Sequence, residues 1–238
     1  MKIERPIVEG VFVERVNRFL ARVEVGGRQT WAHVPNSGRL HELFAPGRPV
    51  LLAAVHGSQR KTRYDLIMVQ LGNRLVSMDA RLPGHLLHEA LLAGGLPPFV
   101  GYPDIQREAV FGGSRLDFLL QGERRRCFME VKSVTLVEEG MALFPDAPTL
   151  RGRRHVEALA EAVAQGERAA VVFVVQRDDA DRFAPHDRAD PAFGQALRAA
   201  AAAGVEVYAY TCRVSREEVI LDKAIPILLQ PQHGPCSH

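Results

Sequence analysis

A chain of 238 residues, 47% apolar and 24% charged, holds enough apolar material for two small cores and is too balanced in charge for a disordered polyelectrolyte. Three scattered cysteines are too few for a disulfide framework, and with the charged start "MKIERPIVEG" and no apolar run near ~18 residues neither a signal peptide nor a membrane helix is expected, so the expectation is a cytoplasmic protein. The net charge of +2 hides an asymmetry: residues 1–80 hold 12 Lys/Arg against 7 Asp/Glu, and residues 81–238 hold 18 against 21. The basic front suits a polyanion partner, although 26 of the 30 basic residues are Arg, which a compositional bias explains equally well.

Residues 7–25 read as two strands of period-two alternation joined by a polar turn near Asn17. "QTWAHV", "RPVLLAAV", "YDLIMVQL" and "RLVSM" follow as further short strands separated by Gly, Pro and Asn, with no helical period before residue 80. Such a run predicts an OB-like β-barrel over 1–80, with Trp31 read as barrel core and base stacking as its alternative role. From residue 81 the pattern changes. "LPGHLLHEALLAGG" carries helix start and stop signals. "REAVF", "SRLDFLL" and "CFMEVKSVTLV" then form a three-stranded meander. A helix in "TLRGRRHVEALAEAVAQG", a strand "AAVVFVVQ", a loop 177–190, a helix from Asp190-Pro191 to Gly204 and a strand "VEVYAYTCRV" complete an α/β domain over 81–229 with a mixed central sheet. The last residues, 230–238, lack apolar pattern and are expected to be disordered; His233, Cys236 and His238 there mimic a zinc set but lack a fourth ligand.

Chemistry concentrates in the meander. Alternation gives each strand one apolar face and one bearing charge, with Arg115 and Asp117 on the first and Glu130 and Lys132 on the second. A hairpin turning at Glu123-Arg124 pairs residues whose numbers sum to 247 and sets Asp117 opposite Glu130; another even loop would keep the facing and shift the partner. Opposed carboxylates on a half-buried sheet repel unless a cation sits between them, and hard Mg²⁺ or Mn²⁺ suits oxygen donors shared with a phosphate. Lys132, one step along, would orient or deprotonate an attacking water. The plain alternative is a Glu-x-Lys surface ion pair.

"SRLDFLL" followed by "CFMEVKSVTL" resembles the core of the PD-(D/E)xK nuclease fold. Together with "HVPNSGRL" (33–40) and "FPDAPTLRGRRHVEAL" (144–159), the chain over 1–229 resembles the sugar fermentation stimulation protein A family. The resemblance implies an OB-like barrel, a nuclease-like domain and DNA binding, and its family name records a link to sugar utilisation. It also implies Asp117 and Glu130 as metal ligands and Lys132 as the catalytic lysine; Leu116 stands where this nuclease pattern often has Pro.

Further candidates surround this set. Glu89, on the helix before the meander, is expected as an additional acidic residue of the site, or else as part of a solvated helix face. Arg151 and His155 share a helix face and are expected near DNA phosphate or a metal-bound water, or else as an exposed basic turn, and Arg115 is also expected near DNA. In "HVPNSGRL", the turn through Asn36 and Ser37, flanked by His33 and Arg39, offers donors for a phosphate, or else is only a barrel hairpin. Two functions compete: a Mg²⁺-dependent nuclease, and a non-catalytic DNA-binding regulator of sugar-utilisation genes that keeps the nuclease-like fold. With no helix-turn-helix evident, DNA contact without sequence preference is expected.

Overall fold

A computed structural model describes residues 1–55, 60–123 and 125–230. The zinc-like His233, Cys236 and His238, the expected disordered tail apart from Gln230, and Arg124 of the expected turn lie outside the described residues.

The first part is built from β1 (Ile7–Asn17), β2 (Leu20–Val25), β3 (Arg28–His33), β4 (Pro49–Ala54), β5 (Tyr64–Leu71) and β6 (Arg74–Ser77). They follow the order β3-β2-β1-β4-β5-β6, and β3 also pairs with β5, so the first five strands close into a barrel. Closure removes the exposed edges that an open sheet would present. Alternation decides the filling: Phe12, Ala21, Val23, Ala32, Val50, Leu52, Leu66 and Val69 point inward and bury each other. The same alternation places Trp31 outside the barrel, 43% exposed, so the expectation of a core tryptophan is corrected. Its neighbour Ala32 takes the inward position.

The second part opens with α1 (Leu82–Leu92), with Pro in its first turn, and a short 3₁₀ turn (Pro97–Phe99). There follow β7 (Asp104–Phe111), β8 (Ser114–Gln121), β9 (Arg126–Val134), β10 (Val137–Glu138), β11 (Met141–Phe144), α2 (Leu150–Ala164), β12 (Arg168–Val175), β13 (Arg182–Pro185), α3 (Pro191–Ala202), β14 (Glu206–Val214) and β15 (Val219–Ala224). The main sheet runs β15-β14-β12-β9-β8-β7 and is mixed: β9, β12 and β14 are parallel, and the outer strands antiparallel. The strand β12, "RAAVVFVV", is buried throughout after its first residue, because layers cover both faces of the sheet. Short β10, β11 and β13 make a second small sheet. That sheet corrects two expectations: "CFMEVKSVTLV" is broken after Val134, and the expected loop 177–190 contains β13, which pairs in parallel with β11. Strands of two to four residues carry too little periodicity to stand out. The strand β15, also unanticipated, lies at the sheet edge.

Two apolar layers flank the main sheet. On one face α2 and α3 bury Val156, Leu159, Phe193 and Leu197 against Leu116, Phe128, Val171 and Phe173. On the other, α1 buries Leu82, Leu86 and Leu87 against Phe118, Met129 and Val172, and the barrel contributes Leu51, Ala53, Ile67 and Met68 to the same layer. Hydrogen bonds join the two parts at Ser77, whose N–H donates to the Gln176 carbonyl (3.0 Å) and whose hydroxyl donates to Gln176 Oε1 (2.8 Å). Barrel and sheet thus share the apolar layer beside α1 and a polar seam, and a cleft lies between them.

Candidate active site

The cleft, about 460 Å³, lies between the loop after β3 and the charged face of β8 and β9. Its lining includes Arg18, Asn36, Ser37 and Gly38 on the barrel side, and Asp117, Glu130, Lys132, Asp146 and Arg151 on the sheet side.

The pairing of β8 with β9 follows Phe118–Met129, Leu119–Phe128, Leu120–Cys127 and Gln121–Arg126, which is the expected register. Asp117 is thereby brought level with the Glu130 end of β9. Its Oδ2 accepts the Val131 N–H at 2.7 Å, leaving Oδ1 without a protein donor among the described residues. Burial and the charge of Glu130 push the Asp117 carboxyl up to about 6, although the Val131 N–H and Lys132 pull the other way.

Glu130 is 3% exposed. Its Oε1 accepts Lys132 Nζ at 2.6 Å and also the His155 ring at Nδ1. Burial alone would raise this carboxyl, but the His155 hydrogen bond and the charge of Lys132 outweigh it and hold Glu130 below the usual glutamate value. A carboxylate only accepts, so Nδ1 carries the ring proton, and Nε2 then accepts Arg151 Nε–H at 3.4 Å. The other glutamate oxygen, Oε2, is buried and has no hydrogen-bond partner among the described residues.

The helix α2 delivers His155 and Arg151 to this point. Its N-cap Thr149 accepts the Gly152 N–H at 3.0 Å, and Thr149 N–H is held by Asp190 Oδ2 at 2.7 Å. Asp190 is itself the N-cap of α3, accepting Phe193 N–H through Oδ1. One side chain therefore sets the start of both helices.

The loop 35–40 forms the opposite wall. Asn36 is buried; it donates to the Met78 carbonyl at 2.8 Å and accepts Gly38 N–H at 2.8 Å, closing an Asx turn. Arg15 gathers the loop carbonyls, with Nη1 donating to Gly38 (2.7 Å) and Arg39 (2.6 Å) and Nη2 to Arg18 (2.7 Å) and Asn36 (3.2 Å). Leu40 N–H crosses to Asp146 Oδ2 at 3.0 Å, and the Thr135 hydroxyl crosses to Glu42 Oε1 at 3.2 Å. A Cβ on Gly38 would stand 2.7 Å from Asp146 Oδ2, so only glycine lets the walls approach this closely.

The expected residues divide accordingly. Asp117, Glu130, Lys132, Arg151, Asn36 and Ser37 line the cleft, and His155 lies buried beneath it, bonded to Glu130 instead of reaching for a ligand. Glu89 does not join them: α1 covers the opposite face of the sheet, and the Glu89 carboxylate is 3.4 Å from the Met1 amino group in a separate pocket. Arg115 is 3.7 Å from Glu108 and stands clear of the lining. Arg39 is exposed in the neighbouring groove with Arg15 and Phe44, and His33 sits on the outside of the barrel with Nδ1 3.1 Å from the Phe19 carbonyl. Sequence reasoning did not single out Arg15, Glu42 or Asp146. Asp146 falls inside the "FPDAPTL" segment, but nothing in its spacing marks it as the residue that bridges to the barrel.

Among the described residues no three His, Cys, Asp or Glu side chains gather in an arrangement that holds a metal by themselves. Two carboxylates are what Mg²⁺ ordinarily takes from a protein when phosphate and water complete its shell. The unpartnered Glu130 Oε2 and the free Asp117 Oδ1 fit such a group. No helix of the described residues is long and apolar enough to cross a membrane.

Comparison with known proteins places these features in a wider group. Residues 13–78 match the family described as "SfsA N-terminal OB domain", and residues 81–218 match "Sugar fermentation stimulation protein RE domain". A sugar fermentation stimulation protein homolog of Desulforamulus reducens is 47% identical over 223 residues, spanning 94% of this chain and 93% of the relative. Its counterpart in Caldanaerobacter subterraneus subsp. tengcongensis is 45% identical over 229 residues, spanning 96% and 100%. A solved structure, Pyrococcus furiosus SfsA in complex with Ca²⁺, superposes with a TM-score of 0.89 at 32% identity, covering 96% of this chain and 98% of that one.

Proposed function

Since the chain belongs to the sugar fermentation stimulation protein family, we propose that it binds DNA without sequence preference and hydrolyses phosphodiester bonds in the cleft with the help of Mg²⁺ or Mn²⁺. The observation that carries this reading is the convergence of Asp117, Glu130 and Lys132 on one wall, with Glu130 Oε2 buried and unpartnered. A buried carboxylate oxygen without a donor costs on the order of 1–3 kcal/mol, which a cation would offset. The Pyrococcus furiosus relative was solved with Ca²⁺, another hard oxygen-seeking cation. Asp117 and Glu130 would hold the ion, and when bound it would supply Lewis-acid stabilisation of charge on the phosphate.

The protein's own residues have separable tasks. Lys132 Nζ, held at 2.6 Å by Glu130 Oε1, lies at the cleft floor, where it can meet a phosphate oxygen. Arg18 and Arg151, on opposite walls, would hold phosphates on either side. With no cation beside it the Asp117 carboxyl is pushed up to about 6 by burial and the charge of Glu130, and an ion held between the two carboxylates would bring it back down. A cytoplasmic setting agrees with Cys127 and Cys212 being free and buried.

One observation favours a second reading. Glu130 Oε1 accepts from both Lys132 and His155, as the anchor of a structural ion pair would, which suits a DNA-binding regulator of sugar-utilisation genes. Incubating the full chain with end-labelled single- and double-stranded DNA in Mg²⁺, Mn²⁺ or EDTA separates the two. Fragments that form only with metal are expected; salt-sensitive binding with no fragments in any metal would leave the regulator.

A further inference from the structure

The outer face of the β2–β3 hairpin carries side chains that neither the barrel core nor the cleft uses. Ala21, Val23 and Ala32 point inward, so Leu20, Arg22, Trp31 and His33 point outward, with Arg22 opposite Trp31 and Leu20 opposite His33. The two-residue turn before β2 adds Arg18 and Phe19, and its shape is held by Asn17 Oδ1 accepting Phe19 N–H at 2.9 Å. Phe19 is 50% exposed and Trp31 43%, and the Phe19 and His33 rings stack at 6.3 Å with 26° between their planes. Phe19, His33 and Trp31 therefore form an aromatic stripe, and at its turn end Arg18 enters the lining of the cleft that holds Asp117 and Glu130.

We propose that this stripe is a stacking platform for single-stranded nucleic acid, which feeds its phosphate backbone past Arg18 into the cleft. The proposal deepens the function argued above and depends on it only for where the strand leads. Side chains two apart on a strand stand roughly 6.5–7 Å apart, about two steps of a ~3.4 Å base rise, so His33 and Trp31 can each face a base of a continuous strand. Paired bases hide their faces inside the duplex, whereas unpaired bases offer them to aromatic rings. Charge selects the occupant: Arg18 and Arg22 border the stripe and Arg39 stands in the adjoining groove. Glu14, at 2.6 Å from Arg22, neutralises only one of them.

Trp31 is the chain's single tryptophan, so its emission reports on this face alone. The full chain in EDTA is titrated with oligo(dT), with oligo(U) and with a DNA duplex, reading both Trp31 emission and the anisotropy of labelled strand. Quenching by the single strands but not by the duplex is expected. Trp31→Ala and Phe19→Ala should each weaken single-strand binding roughly 5- to 150-fold, with Trp31→Phe retaining most of it. Equal quenching by duplex, or single-strand binding that leaves Trp31 emission unchanged, overturns the proposal. So does an emission change that follows protein concentration without nucleic acid, which would give the face to a second copy of the chain. Quenching without metal-dependent cleavage would instead sink the nuclease reading and leave this platform standing; cleavage of duplex with no quenching would do the reverse.

Discussion

His155 on α2 donates its Nδ1–H to the same Glu130 oxygen that Lys132 holds at 2.6 Å, so helix and strand are joined at the cleft floor by one carboxylate oxygen. The other oxygen stays free. Removing the ring in His155→Ala leaves a buried carboxylate short of a donor and should cost roughly 1–3 kcal/mol. His155→Asn, whose amide can stand near the Nδ1 position, should recover part of that loss. Urea unfolding midpoints of the three proteins check this, and a His155→Ala midpoint equal to wild type would mean the contact carries no stability.

Glu130→Gln preserves shape and deletes the charge. Calorimetric titration should show Mg²⁺ affinity falling at least ~10-fold, while DNA affinity measured in EDTA holds or rises because a repulsion has gone. Undetectable Mg²⁺ binding by the wild type, with and without DNA, would end the metal-dependent reading.

Lys132→Met keeps the stem and removes the ammonium. Metal binding should persist and cleavage should drop by roughly 100-fold or more, the scale of losing one positioned catalytic group. Wild-type cleavage by this variant would make Lys132 an ion-pair partner only.

Asp117 gives the protein a pH signature. Its folded-state value of about 6 lies above the ~3.9 of an unfolded aspartate, so the folded protein binds the proton more tightly. The resulting stability is fully present below about pH 4 and is lost as pH rises through about 6, amounting to at most ~3 kcal/mol. Asp117→Asn should remove that decline. Unfolding midpoints at intervals between pH 4 and 7, in EDTA, give the comparison; identical slopes for the two proteins would contradict it.

Gly38→Ala tests the joint between barrel and sheet. The added methyl meets Asp146 Oδ2 at 2.7 Å, which should displace the carboxylate from Leu40 N–H and destabilise by roughly 1–3 kcal/mol. Adding Asp146→Ala makes room for the methyl, so the double variant should lose less than the sum of the two single changes. Strict additivity in thermal melts would show that the two residues do not press on each other.

Period-two alternation was enough to put Asp117, Glu130 and Lys132 on the charged faces of neighbouring strands, because alternation is a local property of the backbone, whereas their register stayed open to any even loop until the pairing of Phe118 with Met129 decided it. The barrel was legible for the same reason, strand by strand. Trp31 was not: its outward phase is plain only once Ala32 is seen to fill the barrel. Helix spacing told which residues share a side of α1 or α2 but not which face of the sheet each helix covers. Glu89 was accordingly sought in the site, although α1 packs behind it, and His155 was sought on a ligand, although α2 presses it onto Glu130. The cleft depends on contacts about a hundred residues apart, Leu40 to Asp146, Glu42 to Thr135 and Ser77 to Gln176. No sequence period encodes such pairs; they form because the barrel must bury Leu51, Ala53, Ile67 and Met68, and the apolar layer beside α1 is where it can.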